Sequence, residues 1–326
     1  MDLKNTFLSL FGELADSVLE TSQVAEAEIN SNNFRILAAK HGDNKYFLLR
    51  RYPKTSDVGR IAAVHRAIHW LSGKGIPAPE LLDAKDNFAV FKFLDSDHYR
   101  GTLPELESCA LNMGKMDVCL SEMPADIADP EMFKMGDQLL KLREFSESIW
   151  RDIFSLAEAR YKKTGDDFDA QLIAAKDEIL KAIRETPADV AKSFPRQIVH
   201  FDFHPHNILT DGNKLSAFLD FDSLRYLERM RGVAFAAHRL IRQYVIFNKS
   251  ADIKKAVSAA RKIFFENYKK FGVLTAEEEA ATAYFIRHES LSRLTYAMKD
   301  MYYNGNPAWK QDLPKQMGNI AESYYF

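Results

Sequence analysis

Two aspartates and an asparagine are the residues in this chain whose types and spacing could do chemistry. They lie in the runs His200-Phe-Asp202-Phe-His204-Pro-His206-Asn207 and Leu219-Asp220-Phe221-Asp222. Between the runs sits Asp211-Gly212-Asn213, flanked by the β-favouring stretches 207–210 and 214–219. An Asp-Gly turn between such stretches predicts a hairpin. The hairpin folds the chain back and brings Asp220 beside Asn207. Two oxygen ligands then face one magnesium site, and Mg²⁺ takes few protein oxygens together with phosphate oxygens and water. Asp202 is left to orient an attacking hydroxyl and accept its proton. The pattern predicts phosphoryl transfer.

The same residues have plainer readings. Asp202 and Asn207 could simply cap a loop, as Asp and Asn often do. His200, His204 and His206 with Asp202 could bind a transition metal, although no H-E-x-x-H occurs and no second ligand cluster is evident. His200 is expected to hydrogen-bond loop backbone and His204 to steady the loop. Asp222 is either a secondary metal or substrate contact or a turn residue. Arg225 and Arg231 are either solvated charges or contacts to substrate or phosphate.

These residues need a scaffold, and the chain has enough of one. Its 326 residues are 46% apolar and 28% charged, a globular composition. The length suits two domains or lobes. Lys and Arg number 44 against 46 Asp and Glu, so no basic excess points to nucleic acid. The two cysteines, Cys109 and Cys119, are too few for a disulfide scaffold or a four-ligand zinc site, and a reducing cytoplasm fits best. No apolar run is long enough for a membrane span. Leu3, Phe7, Leu10, Phe11, Leu14 and Val18 fall at helical spacing and predict one N-terminal helix. Strands are expected at 33–39, 46–51 and 87–94, and a helix over 56–71. Helices dominate after Thr102, over 132–161, 167–184, 230–248, 252–271 and 276–303.

With these elements in place the sequence resembles the aminoglycoside phosphotransferase and choline kinase superfamily, distant relatives of protein kinases. The family pattern H-x-D-x-x-x-x-N is matched by 200–207, and its metal-binding Asp-Phe by Asp220-Phe221. Gly75-Ile-Pro-Ala-Pro79 and Phe91-Lys-Phe-Leu94 match lesser motifs, the latter at the interlobe hinge. Homoserine-kinase-like, N-acetylhexosamine-kinase-like and stress-response-kinase-like members look nearest. The resemblance implies an α+β, bilobal protein-kinase-like fold. Residues 1–94 would form the N-terminal helix and nucleotide lobe, and 95–326 the helical lobe with catalytic loop and substrate pocket. It implies ATP and Mg²⁺, with a small-metabolite hydroxyl as acceptor. ATP would meet Arg50, Asn33, Phe91, Phe93 and Leu94. Asp202 would be the base, and Asn207 and Asp220 the metal ligands.

Four departures stand against the family pattern, one of them Gly232-Val233-Ala234 where the family has Asp-x-Ala. The nucleotide loop, 29–34, has no glycine. The strand cation is Arg50 rather than lysine, with Arg51 on the opposite face by strand alternation. The helix over 56–71 has no Glu, and His65 lies near the expected position. Arg50 is therefore expected to lack a carboxylate partner from that helix and to be mobile without nucleotide. The departures keep a nucleotide-binding pseudokinase open as an alternative, and a protein Ser/Thr kinase is a further one. Along the last long helix, His288, Glu289, Arg293, Tyr296 and Asp300 are candidates for a substrate pocket.

Overall fold

The computed structural model of the chain describes residues 2–24 and 33–326. Helix α1 (Leu3–Phe11) starts at Asp2, whose side chain accepts from the Lys4 and Asn5 amides. Then come β1 (Ser17–Gln23), β2 (Asn33–Lys40), β3 (Asp43–Arg51), α2 (Val58–Gly73), β4 (Leu81–Lys85) and β5 (Phe88–Lys92). The five strands form one antiparallel sheet in the order β1-β2-β3-β5-β4. Residues His41 and Gly42 turn β2 into β3 with φ of 51° and 89°, the pair of positive values a type I′ turn requires. Alternation along the strands gives the sheet two buried faces. Ile36, Phe47, Leu49 and Val90 pack under α1 against Phe7 and Phe11. Ala89 and Phe91 pack on the other side with Ala63, Val64 and Ala67 of α2.

The N-terminal spacing covers two elements rather than one helix. α1 stops at Phe11 with Gly12 after it, where glycine weakens a further turn. Val18 is buried in β1 and pairs with Ala38. A helix followed by a strand thus kept helical spacing by coincidence of the apolar positions.

The remaining elements are β6 (Asp97–His98), α3 (Leu103–Ser121), α4 (Asp137–Arg143), α5 (Glu147–Thr164), α6 (Asp167–Ala174), α7 (Lys176–Arg184), β7 (Arg196–His200), β8 (Ile208–Asp211), β9 (Lys214–Phe218), β10 (Leu224–Glu228), α8 (Arg229–Phe247), α9 (Ile253–Tyr268), α10 (Ala276–Ala280), α11 (Thr282–Asn304) and α12 (Asp312–Ser323). β8 and β9 form the Asp-Gly hairpin, extended by β6, and β7 pairs with β10. The stretch 132–161 is broken where Phe145 turns into the core and Ser146 caps α5 through the Ile149 amide. α3, α8 and α9 share the central core with α2, while α5, α7, α11 and α12 enclose a second one around Trp150, Phe154 and Met298. No described helix is long and apolar enough to cross a membrane.

Asp117 of α3 is tied to β7, the strand that leads into the 200–207 loop, and to α9. Gln197 of β7 donates to the Asp117 carbonyl at 2.9 Å. The Asp117 carboxyl accepts from the Tyr268 hydroxyl at 2.7 Å. Burial pushes that carboxyl up to about 7, opposed only in part by the Tyr268 hydrogen bond. The folded chain then holds a proton that the unfolded chain has released. Stability contributed here is full below about pH 4 and is lost as pH rises to about 7. Asp117→Asn should remove that fall. Urea midpoints that decline equally in both proteins across this window would refute the assignment.

Candidate active site

The loop from His200 to Asn207 is held by its own side chains. His200 is buried, and its Nε2–H donates to the Leu219 carbonyl at 2.8 Å. Its Nδ1 faces the Ser223 hydroxyl at 3.2 Å. Burial lowers its pKa, which matches a neutral ring. The ring also packs edge-on against Phe203 and Phe221 at 4.7 and 5.3 Å between centroids. One histidine thus ties the 200–207 loop to both ends of the Asp220 segment. Behind it, a Cβ on Gly232 of α8 would come 3.2 Å from the Val199 Cβ and 3.3 Å from the His200 carbonyl. A side chain there would press on β7, and glycine lets the helix sit this close.

Asp202 is half-exposed, with the His204 Nε2 3.4 Å from its Oδ2. Burial raises its pKa, but the His204 hydrogen bond and charge, with Arg293 farther off, hold it below the usual carboxylate value. His204 also accepts from the His206 amide at 3.3 Å, a second tie within the loop. His206 is exposed and lies against the His98 ring. Asn207 donates from Nδ2 to the Asp202 carbonyl at 2.9 Å. Its Oδ1 therefore has no donor to answer among the described residues. The Asn207 carbonyl accepts from the Leu219 amide at 2.8 Å, which places Asp220 next along the chain.

Asp220 sits in the left-handed region with φ 57° and ψ 54°, a conformation aspartate tolerates better than most residues. The kink sends its carboxylate toward β3, where Oδ1 lies 3.0 Å from the Arg50 Nη2. Asp222 meets the same nitrogen at 2.7 Å. Burial pushes the Asp222 carboxyl up, with Arg50 opposing. The oxygens of Asn207, Asp220 and Asp222 are hard donors of the kind Mg²⁺ takes, and they fit that ion. Among the described residues no three His, Cys, Asp or Glu side chains gather as a metal cluster.

Arg50 of β3 is not unpartnered. Its carboxylates come from the loop after β9 rather than from α2. In α2, His65 bonds the Tyr52 hydroxyl at 2.9 Å, and the Tyr52 ring lies beneath the Arg50 guanidinium at 5.5 Å. Asp222 and Asp220 keep the Arg50 pKa raised in spite of burial. Arg51 lies over the Phe34 ring, on the face away from Arg50. Asn33 pairs with Arg50 in register, and its side-chain oxygen is buried without a partner among the described residues. The rest of the glycine-free loop, 29–32, lies outside the described residues. Phe91 is buried, meets His65 edge-on, and pairs in register with Leu48 and Leu81 on either side of β5. Phe93 packs on Tyr46, and Leu94 follows where the sheet ends.

Sequence reasoning missed Arg60 of α2. Its guanidinium donates to the carbonyls of Met132, Asp222 and Leu224 at 2.7, 3.2 and 2.7 Å. It ties α2 to the loop that carries Asp222. Arg225 also caps the Asp222 and Leu224 carbonyls, both at 2.7 Å. Burial and the neighbouring Arg60 lower its pKa to about 10. Arg60→Met should cost about 1–3 kcal/mol, the range for losing charge-assisted bonds to carbonyls. It should also lower kcat by loosening the 221–224 loop. An unchanged melting temperature would exclude Arg60 as that link.

On the helical side, Glu289 is buried and accepts from Arg143 and Arg293 at 2.6 and 2.5 Å. Those arginines hold it at about 2 against the effect of burial. Arg231 is not a solvated charge: it pairs with Glu228 and donates to the His288 Nδ1. Tyr296 packs on Trp309, and Asp300 accepts from Asn304, Asn306 and Trp309 near the end of α11.

The sequence profile of the phosphotransferase enzyme family matches residues 22–243. The chain belongs to that family. No curated protein matches it in sequence. Among solved structures it is similar to amicoumacin kinase hAmiN in complex with AMP-PNP, Ca²⁺ and Ami, at 12% identity and TM-score 0.61, covering 93% of this chain and 88% of that one. It is also similar to an aminoglycoside phosphotransferase from Alicyclobacillus acidocaldarius, at 15% identity and TM-score 0.61, covering 94% and 89%. An ethanolamine kinase from Plasmodium vivax shares 16% identity with TM-score 0.54, covering 95% and 82%. Identities this low establish the shared fold, a β-sheet part followed by a mostly helical part as in protein kinases.

Proposed function

We propose that this phosphotransferase is an ATP-dependent kinase that moves the γ-phosphoryl group of ATP to a hydroxyl of a small metabolite. One observation carries the reading: Arg50 from the sheet meets Asp220 and Asp222 from the helical part, at the loop where Asn207 is fastened to Asp202. A triphosphate laid in that cleft would meet the guanidinium from one side and the carboxylate loop from the other. Asn207 and Asp220, with Asp222 as a further oxygen donor, would hold Mg²⁺, which when bound neutralises phosphate charge. Residues 1–94 would hold the nucleotide, with the backbone from Phe91 to Leu94 against the base, and 95–326 would hold the acceptor. The AMP-PNP and Ca²⁺ of the amicoumacin kinase structure support nucleotide use.

Asp202 would orient the acceptor hydroxyl and take its proton. The hydroxyl oxygen bonds to the γ-phosphorus as the bond to the β,γ-bridging oxygen breaks, and ADP leaves. Little covalent chemistry is asked of the chain; alignment and electrostatics carry the rate. The test is ADP release from MgATP over a panel of hydroxylated metabolites, with phosphorylated acceptor confirmed by mass. Acceptor-stimulated ADP release that EDTA removes and Mg²⁺ restores is expected. Tight MgATP binding with no acceptor turned over would instead support a nucleotide-binding pseudokinase.

A further inference from the structure

Beyond the carboxylate loop, the helical wall of the cleft carries an excess of guanidinium groups over carboxylates. The guanidiniums of Arg239 and Arg293 both lie over the Phe235 ring of α8, 5.2 and 5.0 Å from its centroid. Arg293 also lies over Phe201, the residue before Asp202, at 5.8 Å, and Arg143 lies over the same ring at 5.9 Å. Aromatic faces hold guanidinium planes flat and present their edges. Arg239, Arg293, Glu289, Gln316 and Asn319 line one small pocket on this wall.

Charge accounting singles out Arg239. Glu289 is shared by Arg143, Arg293 and, at 3.9 Å, Arg231, so one carboxylate faces three guanidiniums. Glu322 is taken by His238 and Arg242 at 2.7 and 3.3 Å. Arg231 is answered by Glu228. Arg239 has no carboxylate within ion-pair distance among the described residues; its hydrogen-bond partner is the Asn319 Oδ1 at 3.2 Å. Asn319 is itself buried and donates to Gln316. Burial, then Arg293 and Arg242, lower the Arg239 pKa to about 10. An uncompensated half-buried cation is costly, and an anionic ligand would relieve it.

We infer that the phosphate acceptor is itself an anion, a hydroxylated compound whose carboxylate or phosphate group is held between Arg239 and Arg293. The inference rests on the kinase reading for the word acceptor, but not for the anion site. Both groups match guanidinium edges through paired hydrogen bonds. The site would then disfavour amino alcohols and amino sugars, whose ammonium groups would face Arg239 and Arg293.

The experiment is calorimetric titration of the protein, with Mg²⁺ and AMP-PNP present, using matched compounds. Glucuronate, galacturonate and glycerate test the carboxylate; glucose 6-phosphate tests the phosphate; glucose, galactose, glycerol and glucosamine are the neutral and cationic counterparts. At least one acid or phosphate should bind on the order of 10- to 100-fold tighter than its counterpart, the range for a charge-assisted contact. Arg239→Gln should erase that preference, and Arg239→Lys, which keeps the charge, should retain part of it. Preferred binding of glucosamine or the neutral sugars, binding of none, or a preference that survives in Arg239→Gln would each overturn the inference. Failure of AMP-PNP to bind would instead count against the kinase reading, while the acid titrations still decide the anion site.

Discussion

Asp202→Asn should lower kcat by a factor of about 10²–10⁴, the range for a positioned proton acceptor, with little change in melting temperature. The Asp202 side chain is partly exposed, at 37%, so its loss should uncover little apolar surface. Asparagine keeps the shape and can still accept from His204 and Asn207, but it cannot take a proton. Two further signs would separate chemistry from binding. The KM for ATP should stay near the wild-type value, because nothing in the reading gives Asp202 a nucleotide contact. The acid limb of kcat/KM in the wild type should lie below the usual carboxylate range, because His204 and Arg293 hold the Asp202 pKa down. A base that must be ionised loses activity only as pH falls through its folded value. Wild-type turnover by folded Asp202→Asn would remove the residue from the mechanism.

Much of this site was legible because it is local. The 200–207 loop, the Asp-Gly turn and Asp220 lie within one hairpin, and short-range turn chemistry fixes their relation. The β2–β3 hairpin was legible for the same reason. What could not be read were contacts between distant segments. Arg60 sits on a helix whose apolar face alone was interpreted, and nothing in its spacing announces three carbonyls from 132, 222 and 224. The guanidiniums around Phe235 come from α8 and α11, and Arg143 joins them from α4. Their surplus over carboxylates is invisible in a chain whose net charge is −2. β1 was hidden because its buried Val18 continued a helical spacing, and the strand is defined by its pairing with β2.

Arg50→Ala should raise the KM for ATP by about 10- to 100-fold and lower kcat less, the pattern for lost ground-state binding. In the structure Arg50 does not wait for nucleotide unpartnered; it bridges Asp220 and Asp222. The guanidinium stays charged at any working pH, so the bridge is a competitor for metal rather than a proton switch. A divalent ion entering at Asp220 must share or displace Arg50, and the freed guanidinium is then placed to meet phosphate oxygens. Two consequences follow for the variant without nucleotide. Asp220 and Asp222 lose their common cation and repel each other, so the empty protein should melt lower. Mg²⁺ alone should then stabilise Arg50→Ala more than it stabilises the wild type, since binding to the folded state adds stability as RT ln(1 + [L]/Kd). Arg51→Ala, altered on the opposite face of the strand, should show neither the KM change nor the enhanced Mg²⁺ response. Equal Mg²⁺-induced shifts in wild type and Arg50→Ala would mean that the bridge does not compete with metal. An unchanged KM for ATP would take Arg50 out of the nucleotide site while leaving the Asp202 loop as it stands.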